Sequence, residues 1–149
     1  MLWSIDLPWT PAECSPNARG HWAKKATAAK KYRQGCKVLT GSAMFSAGIT
    51  PADVQQAAEQ HGHLDLWIEY FPPDRRHRDD DNLVASFKSG RDGIADAIGV
   101  DDTHFRIHPW LHRDQPKKGG LVLVTVTAGQ SAAIEMVMPA ATDRDVCGG

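Results

Sequence analysis

The sequence predicts a two-layer α+β domain, in which helices cover one face of a mixed sheet. Two observations support this fold class: residues 64–71 alternate like a strand, and residues 20–45 are rich in Ala and Lys, which favour helix. The predicted order is strand, helix, strand, helix, strand, strand, as in other two-layer domains. With 149 residues, 42% hydrophobic and 23% charged, the chain suits one soluble domain, expected over residues 1–128.

The first half begins with a short alternating strand over residues 2–7, and three prolines then impose an irregular loop. A long helix is expected over residues 20–45, although two glycines weaken its second half. Thr50 followed by Pro51 is typical of a helix start, so a second helix is expected to run to about residue 60.

The second half contains the strand at 64–71, which two prolines end. Asp81 is the expected N-cap of a helix over 82–98, whose apolar side chains share one face and which Gly99 ends. Strands 104–111 and 121–127 follow, and the segment between them favours a hairpin-like turn. Residues 129–149 are small and polar, and they are aperiodic beyond Met138, so we expect a flexible tail.

The composition indicates the cellular compartment of the protein. Three scattered cysteines form neither a disulfide framework nor a C-x-x-C zinc motif. The first nine residues lack the basic region of a secretory signal, and no apolar run approaches the ~20 residues that cross a bilayer. We therefore expect a reducing, cytoplasmic location and no membrane partner.

Charge is unevenly distributed although the net charge is only −1. Seven basic residues and no acidic residue lie between residues 18 and 39, and three arginines shortly precede three aspartates at 79–81. Such separated blocks predict a surface that attracts a polyanion and a point that holds cations. The alternative for the first block is a solvated helix face.

Two acidic groups are the strongest chemical signal. Asp79, Asp80 and Asp81 are consecutive, and Asp101 and Asp102 follow about twenty residues later. In an extended segment Asp79 and Asp81 point to the same side, so they and one of the later pair could converge. Carboxylate sets of this kind hold Mg²⁺, and two-metal clusters hydrolyse phosphodiesters. The alternative is that Asp81 is simply an N-cap and that Asp101 and Asp102 form a turn.

Lys88 lies seven residues after Asp81, on the same stripe of an unbroken helix. Because helical side chains lean toward the N-terminus, the ammonium is expected to point back toward the carboxylates, where it could steady a phosphate. The alternative, compatible with this role, is a surface pair with Asp92, four residues further on.

Several motifs together resemble the RusA family of Holliday-junction resolvases. Residues 7–11 and 15–17 (LPWTP and SPN) resemble its "LPxPPSxN" opening, and residues 73–83 (PDRRHRDDDNL) resemble its central "PDRRRRDxDNL" motif. The acidic pair at 101–102 and the KGG at 118–120 resemble later family motifs. The resemblance covers roughly residues 3–127.

The resemblance implies a homodimeric, Mg²⁺-dependent endonuclease, with Mn²⁺ as a substitute, that cuts four-way DNA junctions symmetrically in recombination and repair. By the same resemblance Asp79, Asp81 and Asp102 are metal ligands and catalytic residues within one subunit, with Asp101 as the alternative to Asp102. The family lysine is assigned to Lys88, since Ala85 fills the slot that the lysine has in some members.

Phosphate contacts would supply most of the affinity for DNA. The candidate residues are Lys24, Lys30, Lys31, Arg75, Arg76, Arg78, Lys117 and Lys118. Two alternative functions remain open at this point: a nuclease that prefers flaps or forks, and a junction-binding protein that does not cut.

Overall fold

The computed structural model describes residues 2–128, and the tail predicted over 129–149 lies outside them. This part of the chain has a mixed sheet of four strands with helices against it, which confirms the α+β prediction. The strands are β1 (Leu2–Leu7), β2 (Leu64–Phe71), β3 (Phe105–Leu111) and β4 (Leu121–Thr127). The helices are α1 (Trp22–Ser46), α2 (Pro51–His61), α3 (Asp80–Ser86) and α4 (Lys88–Ile98).

The strand order is β1-β4-β2-β3, so the predicted hairpin between the last two strands is wrong. Among the described residues 2–128, β3 pairs only with β2, in parallel, while β4 lies antiparallel between β1 and β2. Pro109 explains the position of β3, because a proline cannot donate to a ladder and is tolerated on an edge strand. The connection after β3 crosses the end of β2, where the N–H of Lys117 donates to the Pro72 carbonyl (2.9 Å).

The core lies between the sheet and the helices. β1 and β4 each bury alternate residues, as expected for strands covered on one face. α1 buries a stripe at four-residue spacing, from Tyr32 through Cys36 and Thr40 to Met44. The predicted apolar face of the next helical segment is confirmed, because Leu83, Phe87, Ile94 and Ile98 are all buried.

β2 is buried on both faces, which its alternating sequence did not indicate. On the face away from the core, the ring of His108 stacks on Trp67 (centroids 4.0 Å apart) and that of His112 stacks on Phe71 (4.3 Å). His108 Nε2 lies 2.8 Å from Asp65 Oδ1. The His108 contact gives the buried carboxylate of Asp65 a polar partner.

The second helix start is confirmed: Thr50 caps α2, and Asp53 completes a capping box. The predicted helix 82–98 differs from the structure in two ways. It is divided at Phe87 into α3 and α4, and its N-cap is Asp79 instead of Asp81. None of the helices within residues 2–128 has both the length and the apolar character of a bilayer span.

Candidate functional site

Trp9, in the loop after β1, joins three segments that are far apart in the sequence. The guanidinium carbon of Arg78 lies 5.7 Å from the centroid of its ring. A Cβ at Gly120 would lie 2.8 Å from both Cβ and Cγ of Trp9, and Gly120 has a φ of +76°, so only glycine fits there. The opening motif, the central motif and the KGG turn therefore meet around one indole.

Arg78 is held within its own loop. Its guanidinium lies 2.9 Å from Asp74 Oδ1 and donates to the carbonyls of Asp74 (3.1 Å) and Arg76 (3.0 Å). The N–H of Arg76 also donates to Asp74, and these donors hold the pKa of the Asp74 carboxyl below its usual value. The side chain of Arg78 is only 12% exposed, so it fixes the loop, whereas Arg75 and Arg76 are exposed.

The first acidic group lies at the start of α3, where each carboxylate has a different environment. Asp79 Oδ1 accepts the N–H of Asp81 (2.8 Å), which fixes the Asp79 side chain as the helix cap. Asp80 pairs with Arg113 (2.6 Å). Asp81 is exposed, and its carboxylate makes no hydrogen bond or ion pair within residues 2–128.

A cleft of about 460 Å³ opens between the loop after β1 and the loop that leads into α3. Its walls bring the opening and central motifs together beside Asp79. Its lining includes Trp9, Ser15, Asn17, Arg76, Asp79, Asn82 and Leu83.

The second acidic group is engaged separately. Asp101 accepts the N–H of Thr103 (2.9 Å), and this hydrogen bond lowers the pKa of Asp101. The Lys88 ammonium contacts Asp102 and lies 2.7 Å from Asp92 Oδ1. Hydrogen bonds to Asp102 and then to Asp92 raise the pKa of Lys88.

The expected approach of Lys88 to the acidic residues is met at Asp102, whereas Lys88 forms no ion pair with Asp79 or Asp81 within residues 2–128. Its ammonium lies between carboxylates on the C-terminal side, one of which is Asp92 a turn further along α4. The opposing charges outweigh the general tendency of helical side chains to lean toward the N-terminus. The surface pair with Asp92 and the contact with the second acidic group exist together.

The two acidic groups have different partners. Asp80 pairs with Arg113, which follows β3, whereas Asp102, which precedes that strand, pairs with Lys88. In the part of the chain that the structure describes, no three His, Cys, Asp or Glu side chains form a group that could hold a metal ion. The joint site of Asp79, Asp81 and Asp102 stays a prediction. The chemistry of these donors fits Mg²⁺, since all three offer accessible carboxylate oxygens.

The remaining candidate DNA contacts lie on the surface. Lys24, Lys30 and Lys31 are exposed on α1, and so are Lys117 and Lys118, which we call the turn lysines. Lys117 Nζ lies 4.9 Å from the centroid of the Phe71 ring, at the end of β2 from which the loop toward Asp79 departs.

The sequence placed Arg33 only in the basic block of residues 18–39 and gave no role to Arg113. Arg33 of α1 binds Asp96 through two nitrogens (2.7 and 2.9 Å) and approaches Asp92 (3.9 Å), so it links α1 to the carboxylate that holds Lys88. Arg113 pairs with Asp80 and donates to the Arg78 carbonyl (3.1 Å). Both are single arginines without a motif, and only the tertiary fold reveals their partners.

Comparison with known proteins identifies a relative whose name states no activity. No family model matches the chain. An "Uncharacterized protein" of Xylella fastidiosa (strain Temecula1 / ATCC 700964) is 43% identical over 124 residues, which cover 83% of this chain and 75% of the relative. Identity at this level over most of both chains implies a shared fold, and the chain belongs to the same protein family as that Xylella fastidiosa protein.

Proposed function

We propose that the protein is a Mg²⁺-dependent endonuclease that resolves four-way DNA junctions by paired, symmetric cuts, as the resemblance to the RusA family implies. One observation carries the proposal. Three motifs separated by tens of residues meet around Trp9, and the cleft that two of them form has Asp79 on its wall. A chance similarity of short motifs gives no reason for such convergence.

The acidic residues supply the metal-binding role. Asp79, Asp81 and Asp102 would hold Mg²⁺, which when bound activates water and stabilises the leaving oxygen of a phosphodiester. Asp79 is already oriented by the N–H of Asp81, and its second oxygen is left for a ligand. Lys88, paired with Asp102, would place its ammonium against the charge that develops on the phosphate.

The basic residues supply affinity for DNA. The exposed lysines of α1, the turn lysines, and Arg75 and Arg76 would contact backbone phosphates, which dominate affinity but carry little sequence information. A four-way junction has two-fold symmetry, so a C2 homodimer would present one site to each of the two strands that are cut. Such cleavage serves DNA recombination and repair.

The decisive experiment incubates the protein with a synthetic mobile four-way junction, with and without Mg²⁺. Wild type should cut only with the metal. Asp79→Asn and Asp81→Asn should each abolish cleavage but keep binding, because removing negative charge does not weaken attraction for phosphate. Asp6→Asn is the matched control, since Asp6 is an exposed aspartate on β1 outside the cleft, and it should cut normally.

Other outcomes separate the alternatives. If Asp79→Asn or Asp81→Asn still cut the junction, the assignment of these aspartates as metal ligands would be wrong. Binding without cleavage by the wild type, with Mg²⁺ or Mn²⁺, would favour a junction-binding protein. Faster cutting of flaps or forks at equal concentration would favour the other nuclease class.

A further inference from the structure

The proposed metal and phosphate contacts involve only Asp79, Arg76 and Arg78 of the residues that line the cleft, and they give no role to its other walls. We propose that it binds one unpaired nucleotide at the branch point of the DNA and so determines where the strand is cut. This inference rests on the proposed function, because it concerns how the same substrate is positioned.

The size of the cleft restricts its occupant. About 460 Å³ lies within the roughly 300–1,000 Å³ typical of small-molecule sites. A single nucleotide fits such a space, whereas a DNA duplex can only lie across its mouth. DNA entering the cleft must therefore do so as an unpaired nucleotide, and nucleotides at a branch point are the least costly to unpair.

The Trp9 wall of the cleft is packed from two sides. Arg78 lies over the Trp9 ring, and the backbone of Gly120 lies against Trp9 Cβ and Cγ, so both support the indole in the wall. Leu83 adds an apolar surface, which suits the face of a base. A preformed wall lowers the cost of ordering the site when a ligand binds.

The polar lining matches the edge of a base. Asn17 and Asn82 both line the cleft, and each amide offers donors and an acceptor, the combination that asparagine uses to read bases. Neither side-chain amide is hydrogen-bonded to protein within residues 2–128. Ser15 Oγ accepts the N–H of Asn17 (3.3 Å) and so fixes the backbone beside that amide.

The neighbours of the cleft connect base binding to cleavage. Arg76 and Asp79 line the same space, the first exposed and cationic, the second a proposed metal ligand. A nucleotide seated with its base between the two asparagines would bring its phosphate toward these residues. The cleft would thereby set which phosphate is cut, and the identity of the seated base would influence the rate.

The experiment uses a four-way junction with 2-aminopurine at the branch point, bound by the full chain in a chelator so that no strand is cut. Wild type should raise the fluorescence, because an unstacked base is less quenched, and should leave 2-aminopurine in the middle of an arm unchanged. Asn17→Ala and Asn82→Ala should bind the junction but give less than about half of the rise. Gln34→Ala removes an exposed amide on α1, outside the cleft, and should behave as wild type.

If saturating wild type gave no rise in fluorescence at the branch point, the inference would be overturned. An unchanged rise in a variant that carries both Asn17→Ala and Asn82→Ala would also overturn it. If the asparagine variants lost the same affinity whichever base stands at the branch point, the cleft would bind the DNA backbone and not a base. Cleavage of the unlabelled junction in Mg²⁺, measured in parallel, separates these results from failure of the proposed function. If wild type neither binds nor cuts branched DNA, both proposals fail.

Discussion

Replacing Gly93 with alanine should force α1 and α4 apart. The new Cβ would lie 2.4 Å from the Arg33 carbonyl oxygen, 2.9 Å from Cys36 Cβ and 3.1 Å from the Lys37 nitrogen. Two of these three atoms belong to the backbone of α1, which cannot rotate aside as a side-chain tip can. An ordinary contact of 3.4 Å to the carbonyl therefore requires the helices to separate by about 1 Å.

The expected cost follows from the packing of these helices. Overfilling a well-packed contact costs about 1–3 kcal/mol, and a clash with backbone belongs at the upper end. Alanine offsets up to ~1 kcal/mol of this, because it favours helix over glycine. The net loss in free energy of unfolding is about 2 kcal/mol, which lowers Tm by roughly 4–8 °C in a domain of this size.

Two other glycines provide matched controls within α1. A Cβ at Gly35 or at Gly41 would meet no atom of a neighbouring element within 4 Å, so alanine at either site enters open space. Each change should raise the free energy of unfolding by about 0.4–1 kcal/mol. Thermal unfolding followed by far-UV circular dichroism measures all three variants. If Gly93→Ala raised Tm as the controls do, the close approach of α1 and α4 at Gly93 would be wrong.

Three further predictions concern the proposed reaction. Asp92→Asn should lower the pKa of Lys88, so cleavage should decline at a lower pH in the alkaline range, while Asp6→Asn, an exposed aspartate on β1, should leave the pH profile unchanged. Alanine at both turn lysines should weaken junction binding and reduce the slope of log affinity against log salt by about 2 for each protomer, or about 4 for the homodimer, whereas a salt-independent affinity would contradict DNA binding through phosphates. A trapped heterodimer of wild type and Asp81→Asn should nick a cruciform plasmid without resolving it, and full resolution would show that one site makes both cuts.

The pH dependence of stability follows from the same lysine. Because the folded pKa of Lys88 is raised, its ion pairs stabilise the protein fully below the unfolded lysine pKa of about 10.4 and are lost as the pH rises through the folded value. Its side chain is 51% exposed, so solvent screens these pairs. Asp92→Asn should therefore change Tm little at neutral pH while changing the alkaline range of activity.

Much of the fold could be predicted because local signals agree with it. The capping residue Thr50, the alternation of β2 and the glycine that ends α4 each act within a few residues. Strand pairing is not local. The turn-forming segment before β4 favoured a hairpin, but Pro109 on an edge strand and the internal position of β4 depend on what packs beside them.

The candidate site was predicted only in part, because some of its features are local in the sequence and others depend on distant contacts. The residue types at 79–81 and 101–102 were evident from the sequence, and so was the possible pairing of Lys88 with Asp92. The choice of Asp79 as the cap was not, because adjacent aspartates are equally good caps and only the start of α3 decides between them. The roles of Trp9 and Arg78 in fixing the loop depend on contacts across about seventy residues of sequence, which no local pattern encodes.

The helix that the spacing between Asp81 and Lys88 assumed is interrupted at Phe87. In an unbroken helix, residues seven apart share a stripe. Here the ring of Phe87 is buried against Tyr32 and Tyr70, with centroids 6.3 and 6.1 Å away, and the residue ends α3 and precedes α4. Gly90 makes room for it, since a Cβ there would lie 2.3 Å from the ring. The helix is thus interrupted at a buried aromatic residue, with Asp79 beside the cleft before it and Lys88 of α4 beside the second acidic group after it.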